Sequence, residues 1–102
     1  MTGPMTEAMY YVLLSLARPA HGYAMMQEIR QLSHDRVQIG PGTLYGLLTR
    51  MQAEEWIQLE ESDGRRKTYA LTDAGRQALE QEYRRLRCML DDGRPIIEEG
   101  PR

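Results

Sequence analysis

A mainly helical fold with one small β-hairpin is the class this sequence predicts, on three observations. Apolar residues recur at helical spacing in three separate stretches of the first half of the chain. A segment of alternating residues follows, broken at Asp63-Gly64, the dipeptide of a tight hairpin turn. The last periodic stretch places Leu79, Tyr83, Leu86 and Leu90 at spacings of 4, 3 and 4, a long amphipathic helix.

The first helix is predicted behind Thr6 as N-cap, with Glu7 in its acidic first turn. Met9, Val12, Leu13 and Leu16 form its apolar stripe, and Arg18-Pro19 ends it. A second helix follows His21-Gly22, with Met25, Ile29 and Leu32 on one face, and stops near Ser33. The stretch SHDRVQIGPG reads as irregular, with Val37 and Ile39 turned under the fold. The third helix starts at about Gly42 or Thr43 and buries Leu44, Leu47, Leu48 and Met51.

Ile57 and Leu59 alternate with Gln58 and Glu60 in the first hairpin strand. The return strand runs from about Arg66 to Leu71, with Tyr69 and Leu71 on one face and Thr68 and Ala70 on the other. Thr72-Asp73 caps the last helix, which is expected to end near Leu90 at Asp91, Asp92, Gly93 and Pro95.

Bulk properties limit the functions available. A chain of 102 residues supports one domain with a modest core. Its composition, 41% hydrophobic and 27% charged, is that of an ordinary globular protein. The net charge of −2 excludes a whole-molecule attraction to nucleic acid, so any basic patch is local. The longest apolar run, MYYVLLSLA, is too short to cross a membrane, and the start MTGPMTEAM lacks the basic segment of a signal peptide. With Cys88 as the one cysteine, a cytoplasmic protein is expected.

Catalysis finds no support. The two histidines, His21 and His34, form no spaced pair with Cys88, and no metal-binding or phosphate-loop motif is present. Glu54-Glu55 and Glu60-Glu61 read as solubilising charge. The expectation is a non-enzyme without cofactor or metal.

Three short helices followed by a hairpin is the order of a winged helix-turn-helix, whose third helix enters a DNA major groove. The face of that helix opposite its leucines carries Thr43, Tyr45, Gly46, Thr49 and Arg50, groups suited to phosphates and base edges. Gly46 costs about 1 kcal/mol of helix propensity. Close approach to a sugar-phosphate ridge is the return for that cost. Gly40 and Gly42, around Pro41, leave the helix N-terminus bare. Just past the turn, Arg65, Arg66 and Lys67 place three cations on the wing. The competing reading of both features is a solvated polar surface, with ion pairs worth little.

The last helix, about 28 Å long to Leu90, outruns a core this small. Its apolar residues Leu79, Tyr83, Leu86, Met89 and Leu90 are expected to form a homodimer interface.

The chain resembles the PadR family of bacterial transcriptional regulators from about Ala8 to Arg85. The motifs are HGYAMMQEI in the second helix, IGPGTLYGLLTRM in the third, and GRRKTYALTDAGRQAL across wing and last helix. The length resembles the short subfamily with a single C-terminal helix. The resemblance implies a homodimeric repressor, bound to double-stranded DNA at an inverted-repeat operator and released by a small molecule. It also implies groove contacts from Thr43, Tyr45, Gly46 and Thr49 and wing contacts from Arg65, Arg66 and Lys67. One departure is Glu55, before Trp56, where the family typically has Gly; a left-handed backbone there would strain Glu55 mildly.

The expected organisation is a DNA-binding domain over 1–71, a C-terminal dimerisation helix over 72–92 and a flexible tail over 93–102. Tyr10, Tyr11, Tyr83 and Met89 are candidates for an effector pocket that suits flat or adaptable apolar molecules. The acidic total charge keeps a second reading open, a winged helix that docks onto another protein without binding DNA.

Overall fold

The computed structural model describes residues 5–64 and 66–100. Four helices surround a small antiparallel sheet in the order α1 (Glu7–Leu14), β1 (Ala20–His21), α2 (Gly22–Leu32), α3 (Pro41–Ala53), β2 (Ile57–Asp63), β3 (Arg66–Leu71) and α4 (Asp73–Glu98).

The apolar stripes converge as their spacing requires. Met9, Val12, Leu13 and Leu16 meet Met25, Ile29, Leu44, Leu48 and Met51 in one core, closed by Ile57, Val37 and Tyr69. Ile39, Leu47, Trp56 and Leu79 pack half-buried against it. Side chains begin three of the helices. The Thr6 hydroxyl accepts the Met9 N–H at 3.2 Å, His21 Nδ1 the Ala24 N–H at 3.4 Å and the Thr72 hydroxyl the Gly75 N–H at 3.0 Å. By contrast, α3 starts at Pro41 behind Gly40 with no side-chain cap.

The structure differs from the sequence expectation in several places. The first helix ends at Leu14 rather than at Arg18-Pro19, and the Ser15 hydroxyl donates to the Val12 carbonyl at 2.6 Å. The hairpin is part of a three-stranded sheet of order β1-β3-β2, because Ala20 and His21 pair with Tyr69 and Thr68. The expected alternation also breaks. A bulge between Leu59 and Glu61 shifts the register, and Tyr69 and Ala70 are both buried.

The length of α4 differs too. It passes through Asp91, Asp92, Gly93 and Pro95 and ends at Glu98, about 39 Å at the usual rise. Pro95 lacks the N–H that would bond to Asp91, yet Arg94 pairs with Asp91 at 3.3 Å and Glu98 at 3.7 Å across the same turns. The stretch expected as a tail therefore opens with helical residues. The molecule measures 59 × 27 × 21 Å as a result.

Candidate nucleic-acid interface

The leucine face of α3 sits on the core and turns its other face outward. Leu44, Leu48 and Met51 are at most 1% exposed, whereas Thr43, Tyr45, Gly46, Thr49 and Arg50 are all exposed. A Cβ built at Gly46 would meet nothing within 4 Å, so the fold itself makes no demand for glycine there. The same holds at Gly40 and Gly42. This end of α3 is bare backbone in open space.

Two residues of the face have a second role. The Tyr45 ring leans onto α2, where a methyl group at Gly22 would overlap its hydroxyl. Glycine at 22 thus leaves room for the Tyr45 hydroxyl, with the ring still about half exposed. The ring also lies near Tyr69, whose hydroxyl is pushed above its ordinary pKa, mainly by burial and then by Tyr45. Thr49 donates its hydroxyl proton to the Tyr45 carbonyl at 2.9 Å. It therefore presents lone pairs outward, matching an amino group on a base edge and not a phosphate oxygen.

The hairpin turns at Gly64, whose φ of 57° is left-handed, and Arg66 and Lys67 are exposed on β3. Arg65, the first of the three expected wing cations, lies outside the described residues. The wing is joined to α3 by a turn in which Glu55 takes φ 62°, the left-handed conformation expected to strain it.

On α4, Leu79 is half-buried on its own core, while Tyr83, Leu86, Met89 and Leu90 are between 37% and 60% exposed. The stripe continues to Ile97, 80% exposed. Glu82, on the flank toward α1, is buried and bound at both oxygens by Arg85, at 2.9 and 2.6 Å. That pairing holds its carboxyl below the usual carboxylate range.

Between α1 and α4 opens a cavity of about 310 Å³, whose lining includes Tyr10, Tyr11, Arg36, Glu82 and Leu86. Of the four candidate effector residues it holds Tyr10 and Tyr11; Tyr83 and Met89 lie outside it. Burial, then Tyr83, Tyr11 and Glu82, raise the Tyr10 hydroxyl above its ordinary value. Sequence reading missed Arg36. It donates to Glu7 at 2.6 Å and to the Tyr11 hydroxyl at 2.9 Å, tying the segment before α3 to α1. Both partners lie 25 or more positions away, beyond the reach of any local pattern.

Among the described residues no group of three or more His, Cys, Asp or Glu is placed to hold a metal, and no helix is long and apolar enough to cross a membrane.

The model of the Transcriptional regulator PadR-like family matches residues 12–81. The transcriptional regulator Rv3488 of Mycobacterium tuberculosis is 41% identical over 69 residues, 65% of this chain and 62% of that protein. The chain spans 22–30% of the length of the first curated relatives it matches. A PadR family transcription regulator from Clostridium difficile R20291 superposes with a TM-score of 0.78 at 21% identity, over 90% of this chain and 99% of that one. Bacillus subtilis PadR in complex with operator DNA superposes at 0.66 and 24% identity, over 76% of this chain and 47% of that one. With most of its length matched by the family model and the winged-helix fold alongside, the chain belongs to the Transcriptional regulator PadR-like family.

Proposed function

We propose that this chain is a DNA-binding transcriptional repressor that acts in the cytoplasm as a homodimer on an inverted-repeat operator. In this reading α3 of each protomer enters a major groove, and Arg65, Arg66 and Lys67 contact the flanking phosphates. The observation that carries it is the outward face of α3. Thr43, Tyr45, Gly46, Thr49 and Arg50 are exposed on a rigid backing, with a glycine at the centre that packing does not require. The operator DNA bound to the Bacillus subtilis neighbour supports the same partner.

Dimerisation through α4 is supported by the run of exposed Tyr83, Leu86, Met89, Leu90 and Ile97. Gly93 and Pro95 together cost a lone helix about 4 kcal/mol relative to alanine, and a partner surface offsets that loss. The α1/α4 cavity is the seat for a small apolar or aromatic effector that releases the operator. Tyr10 and Tyr11 line it directly. In this reading a dimer contact through α4 brings Tyr83 and Met89 to its edge.

The test is the salt dependence of binding to a short random-sequence duplex. Affinity should fall steeply with salt, and replacing Arg66 and Lys67 together by Ala should reduce the log–log slope by about 1.8, or about 0.9 per lost phosphate contact. An unchanged slope rejects the wing assignment. No duplex binding at low salt rejects the function.

A further inference from the structure

The reading above leaves the exposed flank of α2 unused. Tyr23, Gln27 and Arg30 recur at spacings of 4 and 3, and all three are exposed on one face, with Tyr23 at 63%. Together with Gln38, Gly40 and Pro41 they line a cleft of about 610 Å³ between α2 and the start of α3. On its other side this strip is continuous with the face of α3, because the Tyr45 hydroxyl rests against Gly22, the neighbour of Tyr23. Tyr23 thus stands between the proposed groove-facing surface and the bare N-terminus of α3.

The hydrogen bonding there is directional. Gln27 Nε2 donates to the Tyr23 oxygen at 3.1 Å. That bond occupies an acceptor site and leaves the phenolic proton free to be given outward. A duplex phosphate offers acceptors only. Arg30, one turn further along, is ion-paired through its Nε with Asp35 Oδ1 at 3.2 Å, and its two terminal nitrogens remain donors on the same line.

We propose that Tyr23, oriented by Gln27, donates a hydrogen bond to a phosphate of the DNA backbone, and that Arg30 follows that strand along α2. The inference rests on the DNA-binding reading above. When α3 lies in the groove, the preceding helix crosses the sugar-phosphate backbone, and tyrosine hydroxyls are among the groups that bind it. The open space beside Gly40 and Gly42 lets the backbone pass over the cleft. A phosphate contact carries no sequence information, so its loss weakens every duplex equally.

The experiment compares the full chain with Y23F and Q27A by fluorescence anisotropy, on a random-sequence duplex and on a duplex selected by the unmutated protein. Y23F should weaken both by about the same tenfold factor, the worth of a hydrogen bond to a charged group. Q27A should weaken both by a smaller shared factor, and the melting temperatures should match that of the unmutated chain. Equal binding by Y23F and the unmutated chain overturns this proposal and leaves the function intact. A loss confined to the selected duplex overturns it too, since that marks a base contact. Failure of the unmutated chain to bind either duplex removes the function and this proposal together.

Discussion

The hydroxyl of Thr72, the first residue before α4, donates to the carbonyl of Glu55 at 2.6 Å and also caps its own helix at Gly75. The adjoining backbone repeats the link, with the Thr72 N–H bonded to the Trp56 carbonyl at 3.0 Å. A Cβ on Gly75 would overlap that same carbonyl. These contacts fasten the start of the long helix to the turn that leaves α3. Replacing Thr72 by Val keeps the shape and removes both hydroxyl bonds. It should cost about 2 kcal/mol in urea unfolding, with Ser retaining most of the stability. Gly75→Ala should cost more, about 3 kcal/mol, because a backbone oxygen has to move.

Glu55 itself lies in the left-handed region, and its side chain is exposed. Glycine has no Cβ clash in that region, although it enlarges the unfolded ensemble. Glu55→Gly should therefore raise stability by about 0.5 kcal/mol. Loss of stability in the same urea experiment would mean that the strain is held by contacts the turn needs.

Glu82 is the buried carboxylate of α4, and Arg85 lowers its pKa in the fold. A group so lowered adds stability that is complete above its unfolded value of about 4.5 and is lost as pH falls through the folded value. Urea midpoints measured downward from neutral pH should drop over that acid window. Glu82→Gln should flatten the drop while lowering stability at neutral pH, where the paired charge is missing.

Gly46 separates stability from function. With nothing within 4 Å of its missing Cβ, Gly46→Ala should stabilise the free protein by about 1 kcal/mol, the helix-propensity difference. The same change should weaken duplex binding several-fold if, as proposed above, the phosphate ridge comes close at this point. Tighter binding alongside the added stability would show that the glycine serves no interface.

Much of this architecture is legible in the sequence because it is periodic. The stripe Met9–Leu16 buries every residue its spacing marks, the stripe Leu44–Met51 buries all but the half-buried Leu47, and the capping residues Thr6 and Thr72 begin helices. What escapes is non-local or without a period. A two-residue strand such as Ala20–His21 has no repeat to detect and exists because β3 lies beside it. The helix through Gly93 and Pro95 runs against local propensity, and the pairs that Arg94 makes with Asp91 and Glu98 span the same turns. For the candidate site, the polarity of α3's outer face can be read from spacing, but the lean of Tyr45 onto Gly22 and the Arg36 tie to Glu7 cannot. They join positions far apart in the chain.

The central claim is that two copies of the α3 face read one duplex through a shared α4. Selection of bound duplexes from a random library tests it most directly. The account predicts a consensus with two-fold symmetry, its half-sites about one helical turn apart. An unsymmetrical consensus, or no enrichment over the starting library, would contradict it.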